Sequence, residues 1–300
     1  MRVNPNFVPD IVSDLQQSQS TLNTLLQEVA TGKSVNQPSD NPSASAQMVQ
    51  NSLESSDAAT YTQNISSTLA NVQSASSVLS SIVTQLSQAV SLGTEGANGT
   101  NNSTDLADLS QQVQSILSTV VSQANTSVEG VYLFGGTASG AAPYTVNAAS
   151  PSGYKYNGNS DTNSVAVGDN LSVQVNLPGS QIFSNSSNSV IGALSSLASA
   201  LSSGDSTQIE SATAAVDSSI NNVSQAQGFY SNAESQLNSQ ETFLQQETVT
   251  LSTQQNNLVG ADEATVATEL SQAETDNSAA LAAAAKVLPN TLLDYLVPPS

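Results

Sequence analysis

The chain has no cysteine, no histidine and no tryptophan, and its four basic residues, Arg2, Lys33, Lys155 and Lys286, stand against 24 acidic ones. Each absence removes a class of chemistry. Without imidazole or thiol there is no histidine base, no thiolate nucleophile, no zinc site of the usual ligand set and no Ser-His-Asp arrangement. A formal net charge of -20 leaves too few cations to neutralise phosphates, so nucleic acid is excluded as a partner and anionic membranes are disfavoured. No apolar run is long enough to span a bilayer, and the N-terminal stretch lacks the basic start and apolar core of a cleavable secretory signal. The lack of cysteine removes the hazard of disulfide formation outside the cell and is compatible with export that needs no signal peptide.

Ser, Asn, Gln, Thr and Ala dominate what remains, so composition leaves folding against disorder open and periodicity decides it. Ile11, Leu15, Ser18, Leu22, Leu25 and Val29 alternate steps of four and three, one seam of a helix that Pro9 and Asp10 begin and Gly32 ends. A longer run takes Ile65, Leu69, Val72, Ser76, Leu79, Val83, Leu86 and Val90, closed by Gly93, Gly96 and Gly99; a third takes Leu106, Leu109, Val113, Ile116 and Val120, with Asp105 placed to cap it. From about residue 130 short Val, Tyr, Leu and Phe segments broken by Gly, Pro and Asn read as strands: 131–134, 154–156, 165–167, 171–175 and 181–183. Helical spacing returns at Ile191, Leu194, Leu197 and Leu201, at Ile209, Ala212, Val216, Ile220 and Val223, and at Leu237, Leu244, Leu251 and Leu258. After Gly260 a last seam runs Val266, Leu270, Ala273, Asn277, Ala280, Ala284 and Val287, with Pro289 limiting its continuation.

One amphipathic helix cannot bury its own stripe, and the natural partner of the first seam is the last. The expected interface is therefore Ile11, Leu15, Leu22, Leu25 and Val29 against Val266, Leu270, Ala273, Ala280, Ala284 and Val287. The fold class is mainly α, an elongated rod with a terminal coiled coil of both chain ends, a helical middle and a small β-rich insertion. The expected domains are 1–45 plus 255–300, 46–136 plus 188–254, and 137–187.

Three segments carry a family resemblance. Ala30-Thr31-Gly32-Lys33-Ser34-Val35-Asn36-Gln37-Pro38-Ser39-Asp40-Asn41-Pro42 resembles the signature after the first helix of the flagellar hook-associated protein three (FlgL) family. Gly130-Val131-Tyr132-Leu133-Phe134-Gly135-Gly136-Thr137 is similar to that family's strand after the third helix, and residues 264–296 to its C-terminal helix. The chain departs from the family in lacking the Arg that follows Gly-Lys, where Ser34 stands. The resemblance implies a flagellin-like, non-enzymatic junction protein linking hook to filament on the outside of the bacterium. It implies self-association into a junction ring, with another hook-associated protein and flagellin as neighbours. It also implies passage unfolded through the flagellar type III export apparatus, with a chaperone on the C-terminal segment.

Sharper readings of single residues have plainer competitors. Ser39 or Asp40 reads as a helix N-cap with Pro42 in the first turn. Asn277 is either a register-setting seam residue or a solvated rim position. Asp262/Glu263 and Glu269/Glu274 lack the spacing of a calcium site and read as a solvated face, so no catalytic, cofactor or metal residues are expected. Tyr144, Tyr154 and Tyr156 read as sheet core rather than a glycan or partner site, and Asn-x-Ser/Thr triplets such as the one at Asn98 arise by chance in so Ser- and Asn-rich a chain. The competing functions are a filament-forming flagellin, an acidic adhesin or phage-tail fibre, and a carboxylate-only hydrolase. Nothing in the sequence converges two acids for the last.

Overall fold

Helical periodicity governs most of the chain in the computed structural model, which describes residues 7–184 and 189–296. Helices α1 (Phe7–Thr31), α2 (Pro42–Gly96) and α3 (Ser103–Ala124) come first, and α4 (Gly179–Ile182), α5 (Val190–Ser203), α6 (Ser206–Val259) and α7 (Glu263–Leu296) come last. Between them lie three separate antiparallel hairpins: β1 (Ser127–Val128) with β2 (Val131–Tyr132), β3 (Tyr144–Val146) with β4 (Tyr154–Tyr156), and β5 (Ser164–Gly168) with β6 (Leu171–Gln174). The mainly α class with a β-rich interruption is what the sequence periodicity predicts. The chain divides into two compact units, Met1–Ser56 with Glu247–Ser300, and Asp57–Gln246.

In the central unit α6 buries Ile209, Ala212, Val216, Ser219, Val223, Ala226, Tyr230, Ala233 and Leu237, a stripe that alternates three and four residues without a slip. Helix α2 buries Ile65, Thr68, Val72, Ala75, Leu79, Ile82, Leu86 and Ala89. Half of this differs by one residue from the expected seam: Leu69, Val83 and Val90 flank the core half-buried, while Thr68, Ala75, Ile82 and Ala89 lie on the buried line. Helix axes approach closely here, and the small residues sit on the line of contact. Gln73 donates to Glu234 at 2.9 Å, and Gly93 packs on Thr213, so α2 and α6 run antiparallel in constant register. Gly96 is the last residue of α2, as the sequence predicts, whereas Gly93 lies inside the helix. A Cβ on Gly93 would run into Thr213 and Leu197, and one on Gly96 into Leu201, so both mark close passage of neighbouring helices.

Helix α3 begins at Asn102, whose side chain accepts from the backbone N–H groups of Thr104 and Asp105, while Asp105 reaches back to the Asn102 N–H. The cap is Asn102, and Asp105 is the reciprocal half of the capping box. Across from it α5 packs so closely that the buried Ser110 hydroxyl donates to the Ala198 carbonyl at 2.8 Å.

The strands correct two expectations. Residues 131–134 are not one strand: Glu129 and Gly130, at φ 52° and 83°, form a tight hairpin turn, β2 ends at Tyr132, and Leu133 and Phe134 turn inward. Residues 181–183 are the end of α4 and its cap, because Ile182 and Phe183 bury together, which the alternation of a strand forbids. Phe134 meets Phe183 and Tyr230 edge-on, at ring centroid distances of 5.3 and 6.4 Å. The apolar side chains of the hairpins thus join one core with those of α2, α3, α5 and α6.

Candidate assembly interface

In the terminal unit α1 and α7 lie side by side, joined where their adjacent ends meet. Gly32, at φ 67°, ends α1 with its N–H on the Glu28 carbonyl, as its lack of a side chain permits. The chain then crosses the end of α6 in an isolated antiparallel bridge between Lys33 and Gly260. Ser34 N–H donates to the Val259 carbonyl at 2.7 Å, Ala261 N–H donates to the Gly32 carbonyl at 3.0 Å, and the Ser34 hydroxyl adds a further bond to Val259. Beneath this crossing Val35, Ala44 and Val259 form a small buried cluster, with Met48 and Leu258 packed on it.

The segment after the crossing is accounted for by turn and cap geometry. Pro38 sits second in a turn closed by Asp40 N–H on the Gln37 carbonyl, and the Asp40 carboxylate accepts from the Asn36 and Gln37 N–H groups at 3.0 and 2.8 Å. Asn41 caps α2 by accepting from Ala44 N–H at 3.0 Å, and Pro42 is the first helical residue. The cap is therefore neither Ser39 nor Asp40. Asp40 tightens the preceding turn, leaving the residue beside the proline to cap.

Along the helix pair, Val266, Asn277 and Ala284 are buried, and Leu270, Ala273 and Ala280 are half-buried. From α1, Leu25 is buried, Ile11, Leu15, Ser18 and Leu22 are half-buried, and Val29 is 48% exposed. Val29 falls on the last turn, where the chain leaves the pair and Val35 takes over the packing. Val287 lies outside the residues whose side chains are described, and α7 continues past Pro289 to Leu296. Asn277 donates to the Gln19 side chain at 3.2 Å, so it is the buried seam residue of the two readings. With the Lys33–Gly260 bridge, that contact sets the two helices antiparallel.

Other singled-out residues have structural duties. Asp262 caps α7, accepting from Ala264 N–H and from the Thr265 N–H and hydroxyl. Glu269 and Glu274 are exposed. Tyr144 donates to the Gly179 carbonyl at 2.8 Å, and burial pushes its phenol well above the ordinary tyrosine range. Tyr230 accepts from Leu177 N–H, and its phenol is pushed up to about 12 by burial, an effect that this bond reduces. Tyr156 lies within 3.0 Å of the Phe134 carbonyl and 2.8 Å of the Asn159 carbonyl, binding the hairpin region to the core.

Two further apolar features belong to this unit. Val35 was legible only as a lone apolar residue in a polar loop. Val49 and Leu53 on α2 and Val249 on α6 are 58%, 63% and 60% exposed, large apolar side chains that this unit leaves uncovered. No described helix is long and apolar enough to cross a membrane.

Comparison with known proteins adds to this geometry. Residues 10–139 match the family model described as the bacterial flagellin N-terminal helical region. No curated protein matches the chain. Among solved structures, a protein described as a flagellar hook-associated protein from Vibrio parahaemolyticus superposes with a TM-score of 0.67 at 21% identity, covering 74% of this chain and 100% of that one. The flagellar junction protein FlgL from Legionella pneumophila gives 0.61 at 16% identity over 71% of this chain and 100% of its own. FlgL from Bacillus cereus gives 0.59 at 18% identity, over 70% and 99% respectively. The likeness at these identities is one of fold, and this chain shares that fold.

Proposed function

We propose that this chain is a non-enzymatic structural subunit of the bacterial flagellum, acting at the junction where the hook meets the filament. The observation that carries the reading is the antiparallel pairing of α1 with α7, the two ends of a chain whose N-terminal part matches the flagellin helical region. A single pair with a half-buried seam and exposed Val12, Leu26 and Leu281 has apolar surface left for neighbours. In this reading 1–45 with 255–300 form the terminal coiled-coil domain, 46–136 with 188–254 the helical middle, and 137–187 the outer insertion. Copies associate in a ring, with another hook-associated protein on one side and flagellin on the other.

Its place is outside the cell, reached unfolded through the flagellar type III apparatus. A chaperone covers the C-terminal segment during that passage. A cysteine-free chain suits this route. The family model also covers flagellin, which makes the filament subunit the second reading.

Electron microscopy of a deletion strain separates the two. Bare hooks with a different filament protein released to the medium support the junction role. Bare hooks with no other filament protein in the medium make this chain the filament subunit, and normal filaments overturn both.

A further inference from the structure

The dipeptide Asn-Gly occurs twice, at Asn98-Gly99 and Asn157-Gly158, and the two are held very differently. Asn-Gly is chemically labile because the glycine amide nitrogen, unhindered by a side chain, can attack the neighbouring carboxamide carbon when both are free to approach. At Asn157 they are not free. Its N–H donates to the Pro143 carbonyl at 2.8 Å and its carboxamide donates to the Thr145 hydroxyl at 2.7 Å. Gly158 is wedged against the Tyr156 ring, with the Gly135 carbonyl 2.7 Å from where a Cβ would stand. At Asn98, in the turn between α2 and α3, the side chain is exposed and holds no hydrogen bond to a described residue, and nothing lies within 4 Å of a Cβ built on Gly99. The turn around it is held by main-chain bonds from Asn98 N–H to the Glu95 carbonyl and from Asn101 N–H to the Asn98 carbonyl, the latter long at 3.3 Å, and by the Asn101 carboxamide, which donates to the Glu95 carbonyl; none of these engages the Asn98 side chain or the Gly99 N–H.

We infer that Asn98 is a site of spontaneous covalent modification, converting to aspartate and isoaspartate through a cyclic imide while Asn157 is protected by the fold. The Gly99 nitrogen forms a bond to Asn98 Cγ, the Cγ–Nδ2 bond breaks, and ammonia leaves with the proton from that nitrogen. Water then opens the five-membered ring at either carbonyl. Opening at Cγ restores the normal backbone with a carboxylate in place of the amide. Opening at the other carbonyl routes the backbone through the side chain. The sum is carboxamide plus water giving carboxylate plus ammonium, with no other reagent. Either product places a negative charge just past the C-terminal end of α2, where the helix carbonyls already carry partial negative charge and Glu95 stands nearby. The isoaspartate form also lengthens the backbone in the turn that leads into the Asn102–Asp105 capping box.

The test holds the full chain, native and in denaturant, in mildly alkaline buffer and follows it by mass spectrometry. Cleavage after Lys33, Lys155 and Lys286 places the two asparagines on different peptides. The expected result is a gain of about one dalton at Asn98 in the native protein at a rate near that of the unfolded chain. Native Asn157 should be slower than Asn98 by about ten-fold or more, with the difference vanishing in denaturant. Gly99→Ala, which meets no neighbour and is not in a left-handed conformation, should slow conversion at Asn98 while leaving the circular dichroism spectrum unchanged. Equal native rates at both sites, an Asn98 that stays intact while the unfolded chain converts, or conversion that Gly99→Ala does not slow would each overturn the assignment.

Discussion

The two units use the same helical spacing to different ends. In the central unit the stripes of α2 and α6 face α3, α5 and the hairpins, and side chains as large as Tyr230, Phe134 and Phe183 are fully buried. In the terminal unit the seam of α1 on α7 is covered from one side only. Its buried apolar residues, among the described side chains, are Leu25, Val266 and Ala284. A three-and-four repeat therefore specifies which residues face a neighbour, and the number of neighbours decides whether a core or only a seam results. At about 25 cal/mol per Å² of buried apolar surface, half-buried leucines and alanines offset little of the ordering cost of two long helices.

The largest expected difference follows directly. Phe134→Ala should cost about 3–5 kcal/mol in the central unit, whereas Leu22→Ala, at a half-buried seam position, should cost about 1 kcal/mol. Chemical denaturation of both variants measures this. Hydrogen exchange on the unassembled chain sharpens it, with α2 and α6 between residues 60 and 240 protected well above α1 and α7. Equal protection would mean that the terminal pair is preformed and the contrast is wrong.

Alkaline pH should open the central unit next. Tyr144 and Tyr230 hold their protons more tightly folded than unfolded, so their contribution is complete below the unfolded value of about 10 and is lost as pH rises through the folded values. Each removes about 1.4 kcal/mol per pH unit across that window. Tyrosinate absorbance and circular dichroism should change together. Titration of all seven tyrosines with the helices intact would show that the two phenols are accessible.

Asn41→Ala should cost about 1 kcal/mol by removing the cap of α2, while Ser39→Ala should be near neutral. A larger loss from Ser39→Ala than from Asn41→Ala, measured by thermal unfolding, would reverse the assignment.

The pattern of legible and illegible features has a physical basis. Periodicity located all five long helices, because one side of each helix must avoid water whatever its partner is. It could not place the deep edge of α2, since choosing the larger residue favours Leu69 and Val90, while the buried line takes Thr68 and, beside the close approach at Gly93, Ala89. Caps were displaced by short distances for a similar reason: several Asn, Asp and Ser residues stand near each start, and only the chain path selects Asn41 and Asn102. The crossing of Lys33 on Gly260 joins residues far apart in sequence, and no local pattern encodes it.

The smallest effect belongs to Asn277, and it tests what the terminal seam is for. Asn277 is 6% exposed between alanines and donates to Gln19, whose own side chain is otherwise open to water. A buried Asn in a helix seam holds register at some cost in stability, because it must find its one partner while an apolar residue packs anywhere along the stripe. Asn277→Leu should therefore leave the stability of the pair unchanged or raise it by up to about 1 kcal/mol, while loosening the alignment of α1 on α7. The absence of cysteine makes register measurable with engineered pairs. Cysteines replacing Leu22 and Ala273 lie across from one another in the Gln19–Asn277 register, and those replacing Leu22 and Ala280 meet only after a slip of one heptad. With Asn277 present only the first pair should close on oxidation, and with Asn277→Leu both should close. A loss of stability well beyond 1 kcal/mol would mean that the Asn277–Gln19 bond itself holds the seam together. An unchanged crosslinking pattern would mean that the bridge at Lys33 and Gly260 fixes the register without it.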